Sequence, residues 1–208
     1  MRTLIRAALC ASATLVLVCL SDLRRPSLAS TAQKLDLGGL FERADLVVHG
    51  RVQSARVQLD VRARPETEYE LTLFSSFWGP ASQSLVFRMP GGTLPDGSGM
   101  LVPGLPRLAP GEELLLFLTA ESKTGQRLTV GLAQGKFEVL RDEHGAARLS
   151  REACDLTLVD PAGKQLAAGG EPSALDFAAT SARLLELAQK KKLAQTAKSR
   201  AQGASQGK

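Results

Sequence analysis

Asparagine is absent from this 208-residue chain. Without it there is no acceptor for N-glycosylation. Cysteine occurs three times, as Cys10, Cys19 and Cys154. The first two fall in an N-terminal stretch that reads as a targeting segment, so the mature chain keeps Cys154 alone and has no internal disulfide. Its fold must rest on packing. The histidines are two, His49 and His144. With Cys154 they make three potential metal ligands, but no pair stands at C-x-x-C or H-x-x-x-H spacing. His49 and His144 therefore read as surface histidines and Cys154 as a buried thiol, with no metal and no cofactor expected.

Catalytic patterns are missing as well. Gly97-Ser98-Gly99 is not a nucleophile elbow, because Asp96 stands where the spacing needs a glycine. No lysine follows the glycines of that stretch, which excludes a phosphate loop. Glu112 and Glu113 are adjacent, so on a strand they point to opposite faces and do not make an acid–base pair. Cys154 has no evident base beside it. No catalytic residue is assigned, and the expectation is a protein without enzymatic activity.

What the chain does have begins with a three-part export pattern. Arg2 and Arg6 precede a fourteen-residue apolar run, Ala7 to Leu20, and Ser27 and Ala29 sit three and one residues before a cut after position 29. The run is shorter than the roughly 20 residues of a membrane span. An uncleaved anchor is the alternative, and a lipid on Cys19 is disfavoured by Val18. Residues 1–29 thus read as a signal peptide, and the mature protein as periplasmic or secreted with no stable membrane span. The formal charge of +5 belongs to the ends. Residues 30–189 carry 16 basic and 20 acidic side chains, whereas Lys190, Lys191, Lys192, Lys198, Arg200 and Lys208 crowd the tail. Nucleic acid is not an expected partner, since the tail lacks aromatic stacking residues.

About 179 mature residues suffice for one domain with a real core. Leu114 to Leu118 is an unbroken apolar run between the Pro110-Gly111 turn and polar Thr119, which predicts a strand covered on both faces. Asp45 to Arg56 alternates, with Gly50 as a bulge or close-approach point. Glu68 to Phe74 and Ser84 to Met89 alternate too. Arg127 to Leu132, Lys136 to Arg141, Ala146 to Ser150 and Cys154 to Val159 are further candidate strands. Leu35 to Ala44 predicts a short helix. After Gly169-Gly170 the period becomes helical: Ser173 can cap, and Phe177, Ala178, Ser181, Leu184, Leu185 and Ala188 make a stripe to dock on the sheet. From Lys190 the stripe fades, which reads as a disordered basic tail. The fold class is mainly β, a small closed or partly open OB-like barrel or else a β-sandwich. The barrel spans 30–160, a linker and docking helix 161–189, and the tail 190–208.

Pro90 to Pro110 is a long connection with five glycines, five prolines and several large apolar residues. Connections of this length in compact domains are functional or disordered, and its apolar content argues against disorder. It either lids one end of the barrel or presents Met100, Leu101, Val102 and Leu105 as a binding edge.

The segments A-D-L-V-V-H-G-R-V (44–52), F-W-G (77–79), P-G-G (90–92), P-G-L-P-R-L-A-P-G-E-E-L-L-L-F-L (103–118) and G-L-A-Q-G-K-F (131–137) resemble a family of uncharacterised exported bacterial proteins. The likeness covers about residues 35–140. Trp78-Gly79 stands where that family often has Lys-Gly, and Leu108 stands near its usual Phe. The family's strand order is similar to that of netrin-like barrels, which include the tissue inhibitors of metalloproteinases. The resemblance implies an exported β-barrel; the apolar 90–110 loop adds the expectation of a non-enzymatic module that binds a protein or peptide, or serves the cell envelope. An inhibitor or companion of a secreted protease, or a hydrolase, is the alternative.

Overall fold

The computed structural model of the protein describes residues 30–151, 156–160, 162, 164–166 and 175–205. The expected signal segment, Cys154 and Ser173 lie outside the described residues. In chain order, β1 (Ser30–Gln33) and helix α1 (Leu37–Arg43) precede the long strands β2 (Leu46–Leu59) and β3 (Pro65–Trp78). Next come β4 (Ser84–Pro90), two short strands β5 (Gly92–Thr93) and β6 (Gly99–Met100), and β7 (Glu113–Leu118). A 3-10 turn (Leu132–Gly135) leads to β8 (Lys136–Arg141), followed by β9 (Ala147–Ser150), β10 (Leu156–Val159), β11 (Leu175–Asp176) and helix α2 (Phe177–Ser205). The protein is mainly β, with one helix at its C-terminal end.

Seven strands form one sheet in the order β11-β9-β8-β7-β2-β3-β4, and every pairing in it is antiparallel. β1 and β10 pair in parallel apart from it, and β5 and β6 make a small hairpin.

The doubly covered strand is where the sequence places it. All six residues of β7 are buried, and alternate side chains go to different cores. Leu115 and Phe117 join Leu40, Phe41, Val47, Phe137, Leu149 and Leu184 in a cluster between the sheet and the two helices. Leu114, Leu116 and Leu118 join Val48, Val52, Tyr69, Leu71, Phe87 and Met89 on the other face, in the inner cluster.

Gly50 marks an irregularity between β2 and β3, whose register shifts between His49 and Gly50. A Cβ at this position would run into the Thr72 carbonyl. Only glycine lets the two backbones come this close.

The stretch Arg127 to Leu132 is not the strand its alternation predicts. It offers only isolated bridges, Gln126 to Arg88 and Thr129 to Leu118, and then gives way to the 3-10 turn. Gln134 holds that turn: its side-chain oxygen accepts from the Leu35 N–H at 2.8 Å, and its amide donates to the Gln33 and Gly131 carbonyls. Gly135 follows because a Cβ there would lie 2.6 Å from the Val130 carbonyl oxygen. These demands override the weak strand pattern.

The docking helix α2 also departs from expectation. Of the expected stripe Leu184 is fully buried and Phe177 and Ala188 pack on the helix-side cluster, but Leu185 is half-exposed and Leu187 packs there in its place. Asp176 caps the helix by accepting from the Ala179 N–H at 2.7 Å. The helix does not end near Lys190 but continues to Ser205, through residues rich in Ala, Lys and Gln, which favour helix without any packed face. Lys191 is not solvated tail either. Its ammonium donates to the carbonyls of Phe41, Glu42 and Ala44, at 3.2 to 3.3 Å, and stands 4.9 Å from the Trp78 ring centroid. It thus satisfies the C-terminal carbonyls of α1 and meets the negative end of that helix dipole. Lys191→Gln is expected to cost about 1 kcal/mol in chemical denaturation, from the lost charge–dipole and cation–π attraction.

Candidate functional site

Three buried charge clusters organise the polar side of the fold. In the first, Glu113 projects from β7 towards the helix-covered face. It accepts from His49 Nε2 at 2.9 Å, from Arg51 at 3.2 Å and from Arg141, a strand away, at 2.6 Å. Burial pushes the Glu113 carboxyl up, but the hydrogen bonds from Arg141, His49 and Arg51 outweigh it and hold its pKa at about 2. His49 is not the surface histidine its strand position suggests. It is 6% exposed, and Phe74 and Phe177 pack against its ring at centroid distances of 5.2 and 4.7 Å. The residues that bury it are remote in sequence, which is why alternation within β2 misplaces it.

In the second cluster Glu66, on β3, is buried and accepts from Gln126 at 2.7 Å and from Arg88 and Gln58 at 3.1 Å. Burial raises its carboxyl pKa, while the bonds from Gln126, Gln58 and Arg88 prevail and lower it. The cluster fastens Gln126 to β3 and, through Arg88, to β4.

In the third, Lys136 is 5% exposed and donates to the Arg107 carbonyl at 2.9 Å and to Glu112. Glu112 also accepts from the Ala109 N–H at 2.9 Å. Glu112 and Glu113 therefore serve opposite faces, as adjacent strand residues must. This arrangement accounts for both motifs, G-E-E and Q-G-K-F: Lys136 pins the C-terminal end of the 90–110 loop to the strands.

The N-terminal half of that loop is equally ordered. Gly91 donates to the Pro65 carbonyl, and the Thr67 hydroxyl donates to the Gly91 carbonyl at 2.7 Å. Gly92, with φ +136°, lies so flat on the sheet that a Cβ would sit 2.6 Å from Thr67 Oγ1 and 2.8 Å from Val57. At the tip, Asp96 accepts from the N–H and hydroxyl of Ser98. Farther along, Leu108 is buried and Leu105 packs against the inner cluster.

Between this loop and the exposed ends of β2, β3 and β4 lies a cleft of about 270 Å³. Val57, Tyr69, Met89 and Leu108 line its inner part. Met100, Leu101, Val102 and Leu105, the four residues singled out from sequence, all line it as well. Leu101 is 70% exposed at its rim, whereas Met100, Val102 and Leu105 are partly buried. The loop thus closes its own core and still presents an apolar edge. Arg107 also lines the cleft, although a single arginine in a loop carries no signal of its own in the sequence.

His144 lies apart from this region in the β8–β9 turn, its backbone N–H bonded to Asp142. Among the described residues no three of His, Cys, Asp or Glu are grouped so as to hold a metal ion. Nor is any described helix long and apolar enough to cross a membrane. No family model matches the chain, and no curated protein matches it.

Proposed function

We propose that this chain is an exported, non-enzymatic binding module, built as a small OB-like or netrin-like barrel, that holds a protein or peptide through its 90–110 loop. Barrel closure is supported by a run of hydrogen bonds that continues past the sheet edge. The Arg127 N–H donates to the Arg88 carbonyl of β4, while the Thr119 N–H, just past β7, donates to the Leu128 carbonyl and the Val130 N–H donates to the Phe117 carbonyl of β7. Residues 126–130 would then bridge β4 and β7 around the inner cluster, although they form only isolated bridges and no strand of their own. Export is supported by the charged start, apolar run and small-residue cut site of residues 1–29. A non-enzymatic role is supported by His49, whose Nε2 is engaged by Glu113 and whose ring is packed between phenylalanines.

The observation that carries the reading is the cleft: a braced loop, fixed at both ends, holds apolar side chains open to solvent. Rigid exposed apolar edges of this kind suit partner binding, since little ordering is needed on contact. A random-peptide display selection against the intact chain tests it. The selected peptides are expected to bind at least about tenfold more weakly to a chain carrying Met100→Ser, Leu101→Ser and Val102→Ser, with cooperative unfolding retained. Leu105 is left in place because it packs on the core. Peptides that bind this variant undiminished would remove the loop from the function.

A further inference from the structure

We infer that the cleft is an anchor pocket for the C-terminal apolar residue of a partner polypeptide, with Arg107 receiving its carboxylate. The inference rests on the loop's being the binding site, and it names what the loop binds. At about 270 Å³ the cleft is smaller than the roughly 300–1,000 Å³ typical of small-molecule sites. It has room for one large side chain, the unit that anchors an interface hot spot.

The charges around the cleft give the polar half of the ligand. Among the described residues Arg107 is the only charged one that lines it. Among the described residues the Arg107 side chain has no ion-pair or hydrogen-bond partner; only its backbone carbonyl is used, by Lys136. Glu112, just past the loop, is already committed to Lys136 and to the Ala109 N–H, and Asp96 at the loop's tip is bonded to Ser98. Lys136, Glu112 and Arg107 together leave one uncompensated positive charge beside an apolar hollow. The Thr67 hydroxyl, which also lines the hollow, is spent on the Gly91 carbonyl and offers no competing donor. The Arg107 charge reaches the Tyr69 phenol inside the cleft, where it acts against the effect of burial on that group. A ligand matching this pattern carries an apolar group and an anion a short, fixed distance apart. The last residue of a polypeptide does so on a single Cα, and guanidinium pairs with carboxylate through two parallel hydrogen bonds.

Fluorescence anisotropy on the full chain decides the matter with three labelled hexapeptide probes of otherwise equal sequence. One ends in leucine with a free carboxylate, one ends in leucine amide, and one ends in leucine amide after an aspartate. The free acid is expected to bind about tenfold more tightly than either amide, the worth of one charge-assisted hydrogen bond. Arg107→Gln, at an exposed position, is expected to abolish that preference and leave the amide affinities unchanged. Equal binding of acid and amide overturns the inference, as does failure of all three to bind. Tight binding of the aspartate-bearing amide overturns the C-terminal assignment. If acid and amide bind alike and the Met100→Ser, Leu101→Ser, Val102→Ser chain loses both, the loop stands and only the carboxylate assignment falls. If that chain still binds the free acid undiminished, the loop reading falls with it.

Discussion

Phe117→Ala is expected to lower unfolding stability by about 3–5 kcal/mol, and Leu116→Ala by about 2–5 kcal/mol, in urea titrations. Both side chains are fully buried, so each truncation removes apolar contact and leaves a cavity that close-packed neighbours cannot fill. The sharper expectation concerns the double variant. Although adjacent in sequence, the two residues belong to different clusters on opposite faces of β7. They share no cavity, so their costs should add to within about 0.5 kcal/mol. Strong non-additivity would mean that the two cores are one, and that β7 does not divide them. If the double variant is too unstable to fold, Leu116→Val with Phe117→Leu tests the same additivity at smaller cost.

Acid is expected to loosen the fold in a window that Glu113 sets. Its carboxyl is held at about 2 against an ordinary 4.5, so it binds fewer protons folded than unfolded over that interval. The stability it contributes is present above pH 4.5 and is lost as pH falls towards 2. The amount is about 3 kcal/mol, from the linkage between pKa shift and folding free energy. Glu66, also lowered, adds to the same decline. Glu113→Gln at pH 7 should therefore cost about 3 kcal/mol, short of the extreme for a broken buried pair. Arg51 and Arg141 are half-exposed and can rehydrate when the carboxylate goes, while buried His49 cannot. The variant's stability should also fall less steeply between pH 5 and pH 2 than the parent's. A variant with the same acid slope as the parent would show that Glu113 is not held in this way.

The backbone of the fold is legible wherever one residue's neighbours in sequence decide its fate. An unbroken leucine run implies cover on both faces, Gly50 implies close approach of another backbone, and the Gly-Pro stop after Trp78 ends a strand. The long apolar loop is legible as a lid or an edge, because its composition fits neither disorder nor solvent exposure. What stays hidden is everything settled by a partner far along the chain. His49 is buried by a carboxylate 64 positions later and by a phenylalanine at the head of the last helix. Lys191 earns its place from carbonyls 147 to 150 residues earlier. Lys136 is recognisable as part of a motif, yet its role depends on Arg107, whose own side chain leaves no trace in periodicity or spacing. Arg127 to Leu132 has a strand's alternation and loses it to the demands of Gln134 and Gly135.

The division of the interior has a consequence for the order of assembly. Every member of the inner cluster, from Leu46 to Leu118, has been synthesised before the final ninety residues appear. The helix-side cluster waits for Leu184, which arrives on the last helix and meets Leu35, Leu40 and Phe41. On the export route proposed above, a chain threaded amino end first can therefore complete one half of its interior in transit. The other half remains uncovered until the segment bearing Leu184 has followed.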